Sequence, residues 1–157
     1  MEVFTIGYEK AALGDFLDTL RAAGIAVLID VRDLPLSRRP GFSKRQLRAA
    51  VEQAGIEYVH LKGLGTPKEG RTAARLGDTA RFWEIVERQL ATPEAEFDLR
   101  QAAAIAGSRR ACLLCYEADV RTCHRHSICR ELKARFGLKP HHLSVTPDRI
   151  GGEGVTR

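Results

Sequence analysis

Residues 109–136 read RRACLLCYEADVRTCHRHSICRELKARF, and this stretch decides how the rest of the chain is interpreted. The apolar run Ala111–Tyr116 predicts a buried strand, and the segment after Val120 predicts a helix that buries Ile128, Leu132 and Phe136 on one face. All four cysteines and two of the five histidines of the chain lie within these residues. A strand that leads through a short acidic loop into a helix is one unit of an α/β fold.

The same alternation continues toward the N-terminus. Residues 25–31 form a near-continuous apolar run, which is typical of a strand buried on both faces of a parallel sheet. Helical periodicity precedes this run, with apolar side chains at Leu13, Phe16, Leu17 and Leu20. We therefore expect a single α/β domain over 1–145, a three-layer sandwich with a mainly parallel sheet of about five strands flanked by helices, and a flexible tail over 146–157.

Two connections in the first half of the chain carry local signals. Ser43 and Gln46 have the spacing of a capping box, which predicts that a helix begins there. Residues 62–77, KGLGTPKEGRTAARLG, show no helical or strand periodicity and predict a long irregular loop. A helix with Thr92 as its cap and Pro93 at its first position is predicted further on.

The composition narrows the class of protein and of partner. The chain has 157 residues, 25 lysines and arginines against 20 acidic residues, and a pI near 9.3, a balance that favours anionic partners such as phosphate compounds or nucleic acid. No apolar run approaches the roughly 20 residues that span a bilayer, and the N-terminus lacks the layout of a signal peptide. We therefore expect a basic cytoplasmic protein with reduced cysteines and no membrane partner.

Polar and reactive residues follow the ends of the predicted strands. In open α/β sheets ligands bind beyond the carboxyl ends of the strands, so residues at these ends should meet at one edge. The candidates for substrate binding and catalysis are Tyr8, Asp30, Arg32, Arg38, Arg39, His60, Gly65, Cys115, Glu117, Cys123, His124 and Arg125.

The candidate chemistry centres on cysteine. With Thr122 as the cap, Cys123 falls on the first turn of the predicted helix, where the helix dipole and Arg125 favour a thiolate. We predict Cys123 or Cys115 as the nucleophile, and His124 or Glu117 as the group that moves protons. Each has a structural alternative: packing for the cysteines, capping of loop carbonyls for His124, and pairing with a nearby arginine for Glu117.

Three other patterns occur in this region. Cys115, Cys123, His124 and His126 could together supply ligands to a metal ion such as zinc. Cys112 and Cys115 spell CxxC, but a strand points residues three apart to opposite faces, which disfavours a redox motif. Cys112 in mid-strand and Cys129 on the apolar face of the helix are predicted as core residues. Cys115 and Arg121 have the spacing of a phosphatase loop, yet the intervening residues include two acids and no glycine. Asp30 and Arg32 are equally suited to an internal ion pair that orients the following loop.

Several ordered motifs together resemble the domain-of-unknown-function 488 family. They are TIGYE at 5–9, LIDVR at 28–32, SRRPGFS at 37–43, LGTPKE at 64–69, LLCYE at 113–117 and CHR at 123–125. The resemblance implies a compact α/β domain and no established activity. It marks Gly7, Pro40 and Phe42 besides the site candidates above, whereas segment 33–37, DLPLS, departs from the Pro-x-Ser form of the family.

From these observations we expect an enzyme with a Cys/His/Arg site that acts on a phosphate-bearing small molecule or nucleic acid. The alternatives are a non-catalytic nucleic-acid-binding domain and a metal-binding domain with Cys/His ligands. The sequence assigns no cofactor and no oligomeric state.

Overall fold

A computed structural model describes residues 1–146 and shows an α/β sandwich built on five parallel strands. The expected tail, apart from Thr146, lies outside the described residues. The strands are β1 (Glu2–Gly7), β2 (Val27–Asp30), β3 (Glu57–His60), β4 (Ala111–Cys115) and β5 (Lys139–Leu143). The helices are α1 (Leu13–Ala22), α2 (Lys44–Gln53), α3 (Lys68–Arg75), α4 (Thr79–Leu90), α5 (Pro93–Ser108) and α6 (Arg125–Phe136).

The sheet has the order β3-β2-β4-β1-β5, and every neighbouring pair is parallel. Strand β4 is therefore central, and all five of its residues are buried, as its unbroken apolar sequence predicts. The predicted three-layer α/β sandwich is confirmed.

Two apolar cores cover the two faces of the sheet. One joins alternate strand residues to α1 and α2 through side chains such as Phe16, Leu20 and Leu47. The other joins the opposite strand residues to α5 and α6 through side chains such as Leu99, Ile128 and Leu132. Cys112 belongs to the first core and Cys115 to the second, which confirms that the CxxC spacing points the two thiols apart.

Most of the predicted helix signals are present in the structure. The hydroxyl of Thr92 accepts from the amide of Ala95, and Pro93 occupies the first turn of α5. Helix α2 begins after Ser43 as predicted, but the predicted capping box is wrong. The Ser43 hydroxyl instead bonds to the backbone of Ser37 and ties the preceding loop together.

The predicted irregular loop over 62–77 is also wrong, because the segment contains a short 3-10 turn (Lys62–Leu64) and helix α3. The buried residues of α3 are Gly70 and Ala73, so its inner face is small and carries no apolar periodicity. Close packing explains the small residue, since a Cβ atom on Gly70 would lie 2.5 Å from Thr66. No helix within residues 1–146 is long and apolar enough to cross a membrane.

Candidate functional site

The candidate site lies at the carboxyl edge of the sheet, where β4 ends between β1 and β2. Cys115 is the last residue of β4 and is paired in register with Gly7 of β1. The loop after β4 passes so close to β1 that a Cβ atom on Gly7 would lie 1.8 Å from the carbonyl oxygen of Glu117. Glycine at this position therefore allows the Glu117 loop to fold over the sheet edge.

Cys115 and Cys123 meet at this edge, and the structure joins their sulfur atoms as a disulfide between Cα atoms 7.6 Å apart. Both residues are buried, as are the other two cysteines, Cys112 and Cys129, which pack in the cores as predicted. The burial of Cys112 and Cys129 raises the pKa of each thiol, to about 12 for Cys129, so neither is reactive.

The position predicted for Cys123, on the first turn of a helix, is wrong. Residues Val120–Thr122 form a 3-10 turn, Cys123 is extended, and α6 begins only at Arg125. Asp119 explains the difference, because its carboxylate caps the turn by accepting from the amide of Arg121. The Thr122 hydroxyl donates to the carbonyl of Asp119 rather than capping α6.

Arg125 is the largest fully buried side chain of the site, with 1% of its surface exposed. Its Nε atom lies 3.0 Å from the sulfur of Cys115 and 3.5 Å from that of Cys123. Its terminal nitrogens donate to the hydroxyl of Thr5 at 2.9 Å and to the carbonyl of Glu117. No carboxylate among residues 1–146 forms an ion pair with Arg125, and burial lowers the pKa of its guanidinium.

His124 is held by the backbone of the neighbouring strand. Its Nε2 atom lies 2.8 Å from the carbonyl oxygen of Val31, which can only accept, so Nε2 carries the proton. Nδ1 is then left with its lone pair and lies 3.7 Å from the sulfur of Cys123. Burial lowers the pKa of His124 to about 4, so the imidazole is neutral near pH 7.

Glu117 is the acid closest to the sulfur pair. Its Oε1 atom lies 3.8 Å from the sulfur of Cys115, and burial raises the pKa of the carboxyl group. The side chain of Glu117 does not form the predicted pair with an arginine, since Arg125 donates to the backbone carbonyl of Glu117 instead.

Asp30 and Arg32 form the internal ion pair that was one of the two predicted roles. Arg32 donates from Nε and Nη2 to the two carboxylate oxygens of Asp30, at 2.9 and 2.7 Å. The hydroxyl of Tyr58 donates to the same carboxylate, and Arg32 also donates to the carbonyl of Phe42 at 2.7 Å and to Tyr8 at 3.3 Å. Burial works to lower the pKa of Arg32, but the bonds to Asp30 outweigh it and raise the pKa. The pair thus anchors the loop that runs from β2 to α2.

A pocket of about 640 Å³ opens above these residues and is lined on one side by arginines. Cys115, Glu117 and His124 line it, whereas Cys123 does not. The remaining lining residues come from the β2–α2 loop, from α3 and the segment before it, and from three aromatic positions, and include Tyr8, Leu34, Leu36, Arg38, Arg39, Thr66, Arg71, Arg75, Phe82 and Tyr116.

Several polar lining residues were not among the site candidates predicted from the sequence, including Thr66, Arg71 and Arg75. Arg71 donates to Asp33 and to the carbonyl of Thr66, both at 2.8 Å, and Arg75 donates to Thr72. The Thr66 hydroxyl is buried and has no hydrogen-bond partner within residues 1–146. Arg71 and Arg75 lie four apart, which would have placed them on one helical face had α3 been recognised.

Four residues named from the sequence stand apart from the sulfur pair. His60 donates from Nε2 to the carbonyl of Arg32 at 2.7 Å, and a Cβ atom on Gly65 would lie 2.2 Å from the amide of Asp33, so both support the loop. His126 is exposed and packs beside Trp83 rather than joining the candidate metal ligands. Arg121 is exposed and paired with Asp119, which removes the phosphatase-loop interpretation.

Comparison with solved structures and with functionally curated proteins gives no match. The family whose sequence model matches is described as "Domain of unknown function DUF488", and the match covers residues 12–132, most of the chain. That range contains the ends of β2 and β4, the β2–α2 loop that carries Arg38 and Arg39 (the arginine loop), and the sulfur pair of Cys115 and Cys123. The chain therefore belongs to the DUF488 family, as its motifs indicate.

Proposed function

We propose that the protein is an enzyme that holds a phosphate-bearing substrate, a nucleotide or a related phosphate ester, over a Cys115 thiolate. The observation that carries this proposal is the buried guanidinium of Arg125, whose Nε lies 3.0 Å from the sulfur of Cys115.

A buried positive charge is costly unless an anion lies next to it. Arg125 is almost fully buried and has no ion pair with a carboxylate among the described residues. In the reduced protein the sulfur of Cys115 is the group placed to supply the compensating charge. A cysteine beside a cation exists as the thiolate, which is the nucleophilic form.

The pocket favours Cys115 over Cys123 as the nucleophile. Both cysteines are almost fully buried, but Cys115 lines the pocket and Cys123 does not. The unprotonated Nδ1 of His124 faces the sulfur of Cys123 and can accept a hydrogen bond from its thiol. Cys123 is then the partner thiol, and Cys115 is the one of the two predicted nucleophiles that we favour.

Glu117 is suited to move the proton in the reaction. Its raised pKa favours the protonated acid, and its carboxyl group lies beside Cys115. The thiolate attacks phosphorus, the phosphorus–oxygen bond to the leaving group breaks, and Glu117 gives its proton to the departing oxygen. Water then attacks the thiophosphate and gives a proton to the Glu117 carboxylate, which releases phosphate and restores the thiolate.

The arginines of the pocket would bind the phosphate groups. Arg32 has most of its donors bound to Asp30, Phe42 and Tyr8, so it supports the loop rather than the substrate. Arg38 is exposed on that loop, and Arg71 and Arg75 face it from α3. Guanidinium groups suit this task because their donors match phosphate oxygens in pairs.

The test is turnover of a panel of phosphate esters and nucleotides by the reduced full-length protein. We expect Cys115→Ser to abolish turnover and Glu117→Gln to lower kcat by about 10²–10⁴-fold. Cys129→Ser is the matched control, because it removes a buried thiol outside the site. A Cys115→Ser variant with full activity, or a reduced protein that turns over no member of the panel, would contradict the proposal.

The contribution of the arginines can be separated from that of net charge. Arg38→Gln removes one positive charge inside the pocket, and Arg45→Gln removes one from the exposed surface of α2. We expect the first to raise KM about 10-fold and the second to leave it unchanged, since one hydrogen bond to a charged group is worth more than 1 kcal/mol. Equal changes in KM for the two variants would show that Arg38 acts only through the net charge of the protein and would contradict its role in binding phosphate.

One observation favours nucleic acid as the alternative partner, bound without catalysis. Tyr116 is 48% exposed and lines the pocket next to the arginine loop. Exposed aromatic rings beside arginines are a common means of binding single strands, by base stacking and phosphate contacts. This function predicts oligonucleotide affinity that falls steeply with salt and is lost in Tyr116→Ala, without turnover.

A further inference from the structure

We propose that the reduced sulfur pair and His124 form a binding site for Zn²⁺ or another borderline-soft divalent ion. The inference concerns the site of the proposed function and depends on that function only for its consequence for activity.

Three ligands of the types preferred by zinc converge at this point. The ligand atoms of Cys115, Cys123 and His124 all lie within 4.8 Å of one another, and all three residues are buried. Thiolate sulfur and imidazole nitrogen are the common zinc ligands, and two cysteines with one histidine make a three-ligand centre with a fourth position open.

The orientation of His124 suits metal binding. Because Nε2 donates its proton to the carbonyl of Val31, Nδ1 presents a lone pair toward the sulfur of Cys123. Metal-binding histidines characteristically donate their second ring nitrogen to a carbonyl or carboxylate, which fixes the ring and its tautomer. The backbone of β2 thus supplies the outer partner before any ion arrives.

The spacing of the two cysteines also suits an ion between them. Their Cα atoms are 7.6 Å apart, wider than the roughly 4.4–6.8 Å over which disulfides are usually formed. Two zinc–sulfur bonds of about 2.3 Å at a tetrahedral angle place the sulfurs about 3.8 Å apart. Reduced side chains on these two backbone positions can rotate to that spacing without moving the strand.

The two thiolates offset the charge of a divalent cation bound between them. The Nε–H of Arg125 donates toward both sulfurs, a contact that stabilises thiolate ligands. Glu117, whose Oε1 lies 3.8 Å from the sulfur of Cys115, is placed to fill the fourth position or to bind a water there.

A bound ion would block the proposed nucleophile. Coordination to a divalent cation draws electron density from the Cys115 sulfur and lowers its nucleophilicity toward phosphorus. The zinc-loaded protein is therefore an inactive form, and a chelator under reducing conditions restores the thiolate.

The test is metal binding by the full-length protein, freed of metal and kept reduced with a phosphine. We expect one Zn²⁺ per chain in competition with a chromophoric chelator, and thiolate-to-metal charge-transfer bands when Co²⁺ is added instead. Cys115→Ser, Cys123→Ser and His124→Ala should each weaken binding by more than about 100-fold, beyond the effect of losing an outer partner.

The matched controls are Cys129→Ser and His126→Ala, which remove the same residue types outside the site and should bind like the parent protein. Circular dichroism spectra establish that each variant is folded. Absence of stoichiometric binding, or equal binding by the doubly substituted Cys115→Ser/Cys123→Ser protein, would overturn the inference. Turnover without zinc binding would support the proposed function and overturn the zinc site. Zinc binding without turnover would support the zinc site and contradict the proposed function.

Discussion

Asp30 offers the sharpest test of how the site is supported, because its carboxylate is fully buried and joins β2 to the arginine loop. In Asp30→Ala, Arg32 loses both side-chain bonds to the carboxylate, at 2.9 and 2.7 Å, and Tyr58 loses its acceptor. Removing one partner of a buried ion pair leaves the other charge uncompensated. We therefore expect the free energy of unfolding to fall by about 3–5 kcal/mol.

The measurement is urea and thermal unfolding of the reduced protein, followed by circular dichroism. For a chain of this size a loss of about 3–5 kcal/mol corresponds to a fall in Tm of roughly 6–20 °C. Asp18→Ala is the matched control, because Asp18 is 74% exposed and pairs with Arg21 on the surface of α1. That change should cost no more than about 1 kcal/mol.

A double-mutant cycle separates the ion pair from simple loss of volume. Arg32→Met removes the charge that Asp30 compensates, so Asp30→Ala should cost less in that background than in the parent protein. The coupling energy should be at least about 1 kcal/mol. Additive effects, or a loss below about 1 kcal/mol for Asp30→Ala alone, would refute the assignment of this pair as the anchor of the loop.

Three further predictions concern pH and packing. Burial lowers the pKa of His124 to about 4, whereas its pKa in the unfolded chain is near 6.5. The free energy of unfolding should therefore fall by about 3 kcal/mol as the pH falls from about 6.5 to about 4. Urea unfolding at several pH values measures this loss. His124→Gln should lack this loss and His126→Gln should keep it. Burial raises the pKa of Glu117, so the stability of Glu117→Gln relative to the parent should rise with pH above about 4.3; a constant difference would exclude the buried carboxyl group. Gly7→Ala should cost about 2 kcal/mol or more in thermal unfolding, because its Cβ would meet the Glu117 carbonyl at 1.8 Å. Gly14→Ala, with open space around it, should instead stabilise by up to about 1 kcal/mol; equal effects would contradict the close approach.

The fold was predictable because its signals are local and strong. Buried strands of a parallel sheet carry unbroken apolar runs, and the cap at Thr92 marks the start of a helix. Helix α3 escaped prediction because its inner face is made of Gly70 and Ala73, which leave no apolar period. The two arginines that α3 brings to the pocket were missed for the same reason.

The candidate site was predictable as a location but not in its details. Parallel strands bring Cys115, Glu117 and the Cys123–Arg125 segment to one edge, which follows from topology alone. The order of the two cysteines, with Cys115 toward the pocket, depends on the 3-10 turn at Val120–Thr122. Asp119 and Thr122 could each cap either the turn or the helix, so the sequence does not distinguish the two arrangements.

The sheet order has a consequence for how the chain becomes organised. Strands β1 and β2 do not pair with each other; both pair with β4, which begins only at Ala111. A chain emerging from the ribosome therefore exposes unpaired edges on its first two strands until β4, at Ala111–Cys115, has been made. Insertion of β4 then joins β1 to β2. The candidate site also needs α6, because Arg125 follows β4 in the chain, so it forms only after contacts between distant parts of the chain have been made.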